Sequence, residues 1–193
     1  MKQIVGILLA AGGSRRFGAD KRLQPLADGT PMALASARHL ARTCSRTVVV
    51  IRPDDAELAG LLGAEGMETV VCDLAGQGMG HSLSRGIEVS AEADGWLVAL
   101  ADMPYIEPAS YGAVAEALRN GARLARPAYQ GKAGHPVGFS AIYRADLLAL
   151  TGDQGGKSIL DAHREHVCLC PLDDPGVLKD IDHPAEFLPG RVN

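Results

Sequence analysis

No apolar run in this 193-residue chain is long enough to cross a bilayer as a helix. Met1-Lys2-Gln3 enters the first candidate strand directly, so no signal peptide is expected. There is no excess of positive charge: the formal net charge is −4, which argues against a general nucleic-acid binder. An acidic protein with anionic ligands must gather positive charge locally. No C-x-x-C occurs among the four cysteines (Cys44, Cys72, Cys168, Cys170), which removes the usual zinc and thioredoxin-like motifs. Cys168-x-Cys170 lies in an alternating segment that puts both on one strand face. The favoured reading of these residues is small buried hydrophobes in a reduced, cytoplasmic chain. Internal repeats, low-complexity stretches and linkers are also missing, so one domain over residues 1–193 is expected. What is plentiful is apolar material, 47% of residues, enough for a globular domain with a sizeable core.

The stretch QIVGILLAAGGSRRFGADK, residues 3–21, organises the rest. Ile4-Val5-Gly6-Ile7-Leu8-Leu9 has the length and branching of a strand buried on both faces of a parallel sheet. Ala10-Ala11-Gly12-Gly13-Ser14 follows, with almost no side chain, and allows a ligand to approach the backbone N–H groups. Arg15, Arg16, Lys21 and Arg22 then place four cations within eight residues. Strand, small-residue bend and cations together describe a cradle for a polyphosphate, although glycine-rich turns after strands commonly bind nothing. The bend is neither G-x-x-x-x-G-K-[ST] nor a G-x-G-x-x-G that opens a helix.

Further along, Thr30-Pro31 reads as N-cap and first position of a helix with Leu34, Ala37, Leu40 and Ala41 on its apolar stripe. Val48-Val49-Val50-Ile51 is a second strand, a short helix carries Leu58, Leu61 and Leu62, and Thr69-Val70-Val71-Cys72 is a third strand. A glycine-rich loop over residues 76–83 leads into a helix, and Trp96-Leu97-Val98-Ala99-Leu100-Ala101 runs straight into Asp102-Met103-Pro104. A helix from Pro108 closes at Gly121. Leu124-Ala125-Arg126-Pro127 and Val137-Gly138-Phe139 read as strands of a mixed region joined by a loop carrying Gly134-His135-Pro136. A short helix spans Tyr143 to Leu150, a small-residue loop from Gly152 to Lys157 opens another, and Val167-Cys168-Leu169-Cys170 is a late strand. This alternation predicts βαβ units and an α/β, Rossmann-like three-layer sandwich with a mostly parallel sheet. Ligands of such sheets bind beyond the carboxyl ends of the strands, where the two glycine-rich loops and Asp102 converge.

Asp102 directly after an apolar strand reads either as a turn residue or as a functional acid. Asp180 and Asp182 point the same way on an extended segment, and read either as a solvated acidic end or as a ligand pair with Asp102. Two carboxylates facing a triphosphate repel it unless a hard cation lies between them, and Mg²⁺ suits one or two carboxylates plus phosphate oxygens.

The pattern Leu9-Ala10-Ala11-Gly12-x-Ser14-x-Arg16-x-Gly18-x-x-Lys21 resembles the signature loop of the MobA-like nucleotidyltransferases, and within them the branch that attaches a nucleotide to molybdopterin. The resemblance runs from Val5 to Pro184. It implies the nucleotide-diphospho-sugar transferase-like fold. It also implies nucleotide contacts at Leu9, Ala10, Ala11, Gly12, Gly13, Ser14, Arg16, Lys21, Gly78, Met79 and Ser82. Arg16, Lys21 and Asp102 would be catalytic, with Mg²⁺ on Asp102 and Asp182. Gly134, His135, Pro136, Gly152, Asp153 and Lys157 would lie on the pterin side. Three residues depart from the family pattern: Phe17 replaces Met, His183 replaces Thr, and Lys157 replaces Arg and so cannot make a bidentate pair. Leu9-Ala10-Ala11-Gly12 and Gly78-Met79 match the cytidylyl rather than the guanylyl branch, and the Ala11 methyl would leave less room for a purine. The expected substrates are therefore CTP and molybdopterin, with a molybdoenzyme of the xanthine dehydrogenase type, or its chaperone, as recipient; neither nucleic acid nor membrane is an expected partner. A sugar-phosphate nucleotidyltransferase, a dinucleotide-binding oxidoreductase and a non-catalytic cofactor carrier are the competing readings.

Overall fold

The computed structural model describes residues 2–12 and 20–182. Strand β1 (Ile4–Leu9) is buried at every position. It lies between two parallel neighbours, β2 (Thr47–Ile51) and β4 (Gly95–Leu100), in the registers Leu8↔Val49 and Leu8↔Ala99. Burial on both faces explains its unbroken apolar run. Strand β3 (Glu68–Val71) adds parallel to β2 and is only half-buried, as the outer strand on that side. Beyond β4 the sheet becomes mixed. β7 (Val137–Ser140) is antiparallel to β4 and to β5 (Leu124–Tyr129), and β5 also pairs with the two-residue β6 (Lys132–Ala133) and, in parallel, with β8 (Val167–Pro171). The order is β3-β2-β1-β4-β7-β5-β6, with β8 alongside β5. Two reversals through β7 return β5 and β8 to the direction of β1, so all six of these parallel-running strands end on the same side.

Successive residues of β1 alternate between two apolar clusters, as strand geometry requires. Ile4 and Leu8 join Leu40, Leu58, Leu62, Tyr111 and Leu118, beneath α1 (Met32–Ala41), α2 (Ala56–Ala64) and α4 (Pro108–Arg119). Val5, Ile7 and Leu9 join Leu83, Ile87, Trp96, Phe139, Leu147 and Ile159, beneath α3 (Met79–Glu88), α5 (Arg144–Leu148) and α6 (Lys157–Ala162). Helices thus cover both faces of the sheet, the expected three-layer α/β sandwich. The close packing is visible at Gly86 of α3, where a Cβ would lie 2.8 Å from a methyl of Ile7. No helix among the described residues is long and apolar enough to span a membrane.

Several local expectations shift. Helix α1 starts at Met32, and Pro31 rather than Thr30 occupies the cap position without a side-chain bond. Thr30 is committed to the preceding turn: its N–H donates to Asp28 Oδ1 at 2.9 Å, and its carbonyl accepts from Leu26 N at 2.8 Å. The hairpin between β5 and β6 is not anticipated by the sequence reading. Its turn residues Gln130 and Gly131 both have positive φ, 47° and 78°, the twist that two-residue hairpins prefer. Cysteines 44 and 72 are buried as expected, but Cys168 is exposed and Cys170 half-buried. β8 flanks the sheet, and the run that reads as a core strand is largely open to solvent.

Candidate active site

The carboxyl ends of β1 and β4 are stitched together by Ala101 N donating to Leu9 O at 3.1 Å. This brings Ala10, Ala11 and Gly12 beside Asp102. A Cβ built on Gly12 meets no atom of the described residues within 4 Å. Gly13, Ser14 and Arg16 lie outside the described residues. The chain resumes at Asp20, whose carboxylate accepts from Arg22 N at 3.0 Å and caps a 3-10 turn, Lys21–Leu23.

On that turn two consecutive cations face opposite ways. Lys21 Nζ donates to Asp102 Oδ2 at 3.0 Å, to the Ile181 carbonyl at 3.0 Å and to Asp182 Oδ1 at 3.3 Å. Ile181 N donates in turn to Asp102 O at 2.9 Å. Residues more than 80 positions apart in sequence therefore meet at one point. Burial opposes the Lys21 charge, but hydrogen bonding to Asp102, with Asp182 behind it, outweighs burial and raises its pKa above the ordinary lysine value.

Arg22 instead turns inward and is 2% exposed. Its guanidinium donates to the Ala10 carbonyl and to the carboxylates of Asp20 and Asp55, and Arg52 bridges the same two acids. Burial alone would raise the Asp55 carboxyl, but the Arg22 and Arg52 hydrogen bonds bring it down to about 2. The expectation that Arg22 joins a polyphosphate cradle is thus corrected: its charge is already neutralised in the interior. The network was not foreseen. The available signal was Asp54-Asp55 just past the end of β2, on the side where the cations gather.

Lys21, Asp102 and the end of β1 border a cleft of about 960 Å³. Its walls are Leu9, Ala10, Ala11 and Gly12; Asp20, Lys21, Arg22 and Arg52; Ala75, Gly76, Gln77, Gly78, Met79 and Ser82; Leu100, Ala101 and Asp102; and Asp153. Gly78 has φ 130°, and a Cβ there would lie 2.1 Å from the carbonyl carbon of Gly152. Gly80 N also donates to Gly152 O at 2.8 Å. The loop at Gly78 and the loop at Gly152 therefore press together, and of the latter Asp153 reaches the cleft. Ala11 is 5% exposed and packs with Val50, Cys72 and Leu83, so its methyl is spent largely on the core.

Other expected site residues lie at the same end of the sheet but do not line this cleft. Gly134 packs under the C-terminal limb, where a Cβ would lie 2.1 Å from Val177 O, and Arg126 holds its carbonyl at 3.0 Å. His135 N donates to Val177 O at 2.9 Å, and Pro136 follows through a cis bond. Burial, with the charge of Arg126, pushes the His135 imidazole down to about 4 against the opposing charge of Asp180, so it is neutral at pH 7. Lys157 is exposed at the start of α6. His81 borders a separate, smaller cavity beside Val71 and Cys72.

Chemically, the convergence of Asp102 and Asp182 on one ammonium forms a hard-oxygen pair already directed at a cation, and it fits a divalent ion such as Mg²⁺. A three-residue cluster able to ligate metal, His163, Glu165 and His166, sits at the opposite end, where β8 begins. There Tyr143 and Arg123 already engage both nitrogens of His166, at 2.7 and 2.9 Å.

The family model described as the MobA-like NTP transferase domain matches residues 6–167. The chain is 29% identical to the purine catabolism protein PucB of Bacillus subtilis, over 95% of this chain and 94% of that protein. It is 31% identical to a probable molybdenum cofactor guanylyltransferase of Opitutus terrae, over 61% of this chain and 57% of that one. Among solved structures, Rv0371c of Mycobacterium tuberculosis superposes with a TM-score of 0.82 at 25% identity, covering 96% of each chain. A nucleotidyl transferase from Methanothermobacter superposes at 0.80 and 22% identity, over 96% of this chain and 94% of that one, a likeness of fold.

Proposed function

Since this chain belongs to the MobA-like NTP transferase family and is a nucleotidyltransferase, we propose that it joins CMP from CTP to molybdopterin and releases pyrophosphate. The observation that carries the proposal is the meeting of Asp102 and Asp182 on Lys21 at the mouth of the cleft. The molybdopterin acceptor is supported by the relative named as a molybdenum cofactor guanylyltransferase. A recipient of the xanthine dehydrogenase type is supported by the relative named for purine catabolism. The active unit is one domain over residues 1–193.

The nucleophile is the terminal phosphate oxygen of molybdopterin. It attacks the α-phosphorus of CTP in line; the new P–O bond forms as the bond to the β-phosphate oxygen breaks, and the electron pair leaves on pyrophosphate. A phosphate monoester with its second pKa near ~6 is largely dianionic at pH 7, so the step needs no general base. The neutral, enclosed His135 is accordingly a shaping residue on the pterin side, together with Gly134, Pro136, Gly152, Asp153 and Lys157. Catalysis is positioning and charge neutralisation. Asp102 and Asp182 would hold Mg²⁺, which would supply charge neutralisation at the reacting phosphates. Lys21, kept protonated by the two acids, offsets charge on the departing pyrophosphate together with Arg16. The backbone at Gly12, Gly13 and Ser14 offers donors to the phosphates, and Gly78, Met79 and Ser82 flank the base.

Nucleotide choice is the sharpest point of this reading. With molybdopterin as acceptor, pyrophosphate release is expected to favour CTP over GTP by at least about tenfold in kcat/KM, roughly 1.4 kcal/mol. A GTP preference would overturn the cytidylyl assignment and favour the guanylyl reading that the Opitutus relative's name supports. Because the Ala11 methyl is largely packed away, the discrimination is expected to come from the loop at Gly78 and Met79 rather than from crowding at Ala11.

A further inference from the structure

Helix α4 has no cap of its own, since the Glu107 side chain makes no hydrogen bond to it. The Glu107 amide just before it and the Ser110 hydroxyl in its first turn are met from another part of the chain. Asp174 Oδ2 accepts from Glu107 N at 2.9 Å and from Ser110 Oγ at 2.6 Å, and Asp174 Oδ1 accepts from Gly176 N at 2.8 Å. Asp174 is 3% exposed, and its hydrogen-bond partners among the described residues are these three uncharged donors. These three hydrogen bonds offset the cost of burying so polar a side chain.

Two arms leave this point and both lead to the cleft. The short segment 103–107 connects α4 back to Asp102. The limb after Asp174 passes beneath Tyr105, where a Cβ on Gly176 would lie 2.1 Å from the Tyr105 carbonyl oxygen. It then buries Val177 and Ile181 completely and ends with Ile181 N on Asp102 O at 2.9 Å, next to Asp182. We infer that Asp174 is a positioning residue for the Asp102–Asp182 pair, tying the start of α4 to the returning limb and so fixing where Asp182 stands relative to Asp102. This inference rests on the proposed role of those two acids in holding a divalent cation. The sequence offered little sign of it: Asp174 sits in an acidic, proline-containing stretch, Asp173-Asp174-Pro175, that reads as a solvated turn.

Binding of Mn²⁺ to the nucleotide-free protein, followed through the paramagnetic resonance signal of the free ion, tests the inference without relying on turnover. Circular dichroism and thermal melts ensure that each variant is measured while folded. Asp174→Asn is expected to weaken Mn²⁺ about tenfold, in the range for residues that orient ligands, and the milder Ser110→Ala about threefold. Asp182→Asn is expected to weaken it at least as much as Asp174→Asn. Because Asp174 acts through Asp182, the double variant should bind no more weakly than Asp182→Asn alone. Should Asp174→Asn not fold, Ser110→Ala carries the test. Wild-type affinity in Asp174→Asn and Ser110→Ala alongside a loss in Asp182→Asn overturns the positioning role alone, as do losses that multiply in the double variant. Wild-type affinity in Asp182→Asn overturns the metal pair, and the positioning role with it.

Discussion

Asp102→Ala is expected to lower the rate of pyrophosphate release by on the order of 10³-fold with Mg²⁺ saturating, about 4 kcal/mol of transition-state stabilisation. The loss should fall on kcat, because the carboxylate is assigned to charge that develops as the pyrophosphate leaves. Its stability cost should be small. The Asp102 side chain is 28% exposed, and the contact that ties the C-terminal limb to this position is made by the Asp102 carbonyl to Ile181 N, which truncation of the side chain leaves in place. A folded variant turning over at near wild-type rate would contradict the role assigned to this residue. Steady-state kinetics with a coupled pyrophosphate assay, beside a thermal melt, separates the two outcomes.

Arg22→Ala should show the reverse pattern, with its main effect on stability. The variant strips one guanidinium from Asp20, Asp55 and the Ala10 carbonyl together. Arg52 remains beside Asp55, at 2.9 Å, but the Asp55 side chain is 4% exposed and an enclosed carboxylate losing a partner is costly. The expected loss is about 3–5 kcal/mol, read in urea as a lower midpoint with little change in slope. There is a pH signature as well. Asp55 titrates at about 2 in the folded protein against 3.8 ordinarily. A lowered folded pKa contributes stability that is fully present above about pH 4 and disappears as pH falls toward about 2. The wild-type protein should lose stability across that window, and Arg22→Ala should lose less there because part of the contribution is already gone. Equal acid sensitivity in the two proteins would contradict the network as described.

These two residues show what the sequence made legible and what it did not. The strands β1, β2 and β4 were readable because burial on both faces demands an unbroken apolar run, and parallel pairing fixes which ends of such strands gather their loops. That was enough to expect Asp102, the first loop and the glycine loop at Gly78 on one side of the sheet. Arg22 was misread because charge along a chain does not tell which side of a short 3-10 turn a residue takes. Lys21 and Arg22 are adjacent and identical in sign, yet one meets the acids at the cleft mouth and the other is enclosed by Asp20, Asp55 and the Ala10 carbonyl. Asp174 escaped notice because two of its three partners, Glu107 and Ser110, are separated from it by more than 60 residues, and nothing local marks a tie made over such a distance. The β5–β6 hairpin was missed because its second strand, β6, is only two residues long, too short for any periodicity to register. Cys168 misled because alternation shows which residues share a face of a strand but not whether another layer covers that face.

The most direct test of the whole account is a crystal structure of this protein with CTP and Mg²⁺. The account predicts an ion bonded to carboxylate oxygens of both Asp102 and Asp182 at about 2.0–2.1 Å, with the triphosphate lying between that ion and the backbone at Gly12 and within reach of Lys21. An ion bound away from both aspartates, or a triphosphate lodged elsewhere than the cleft these residues border, would contradict it.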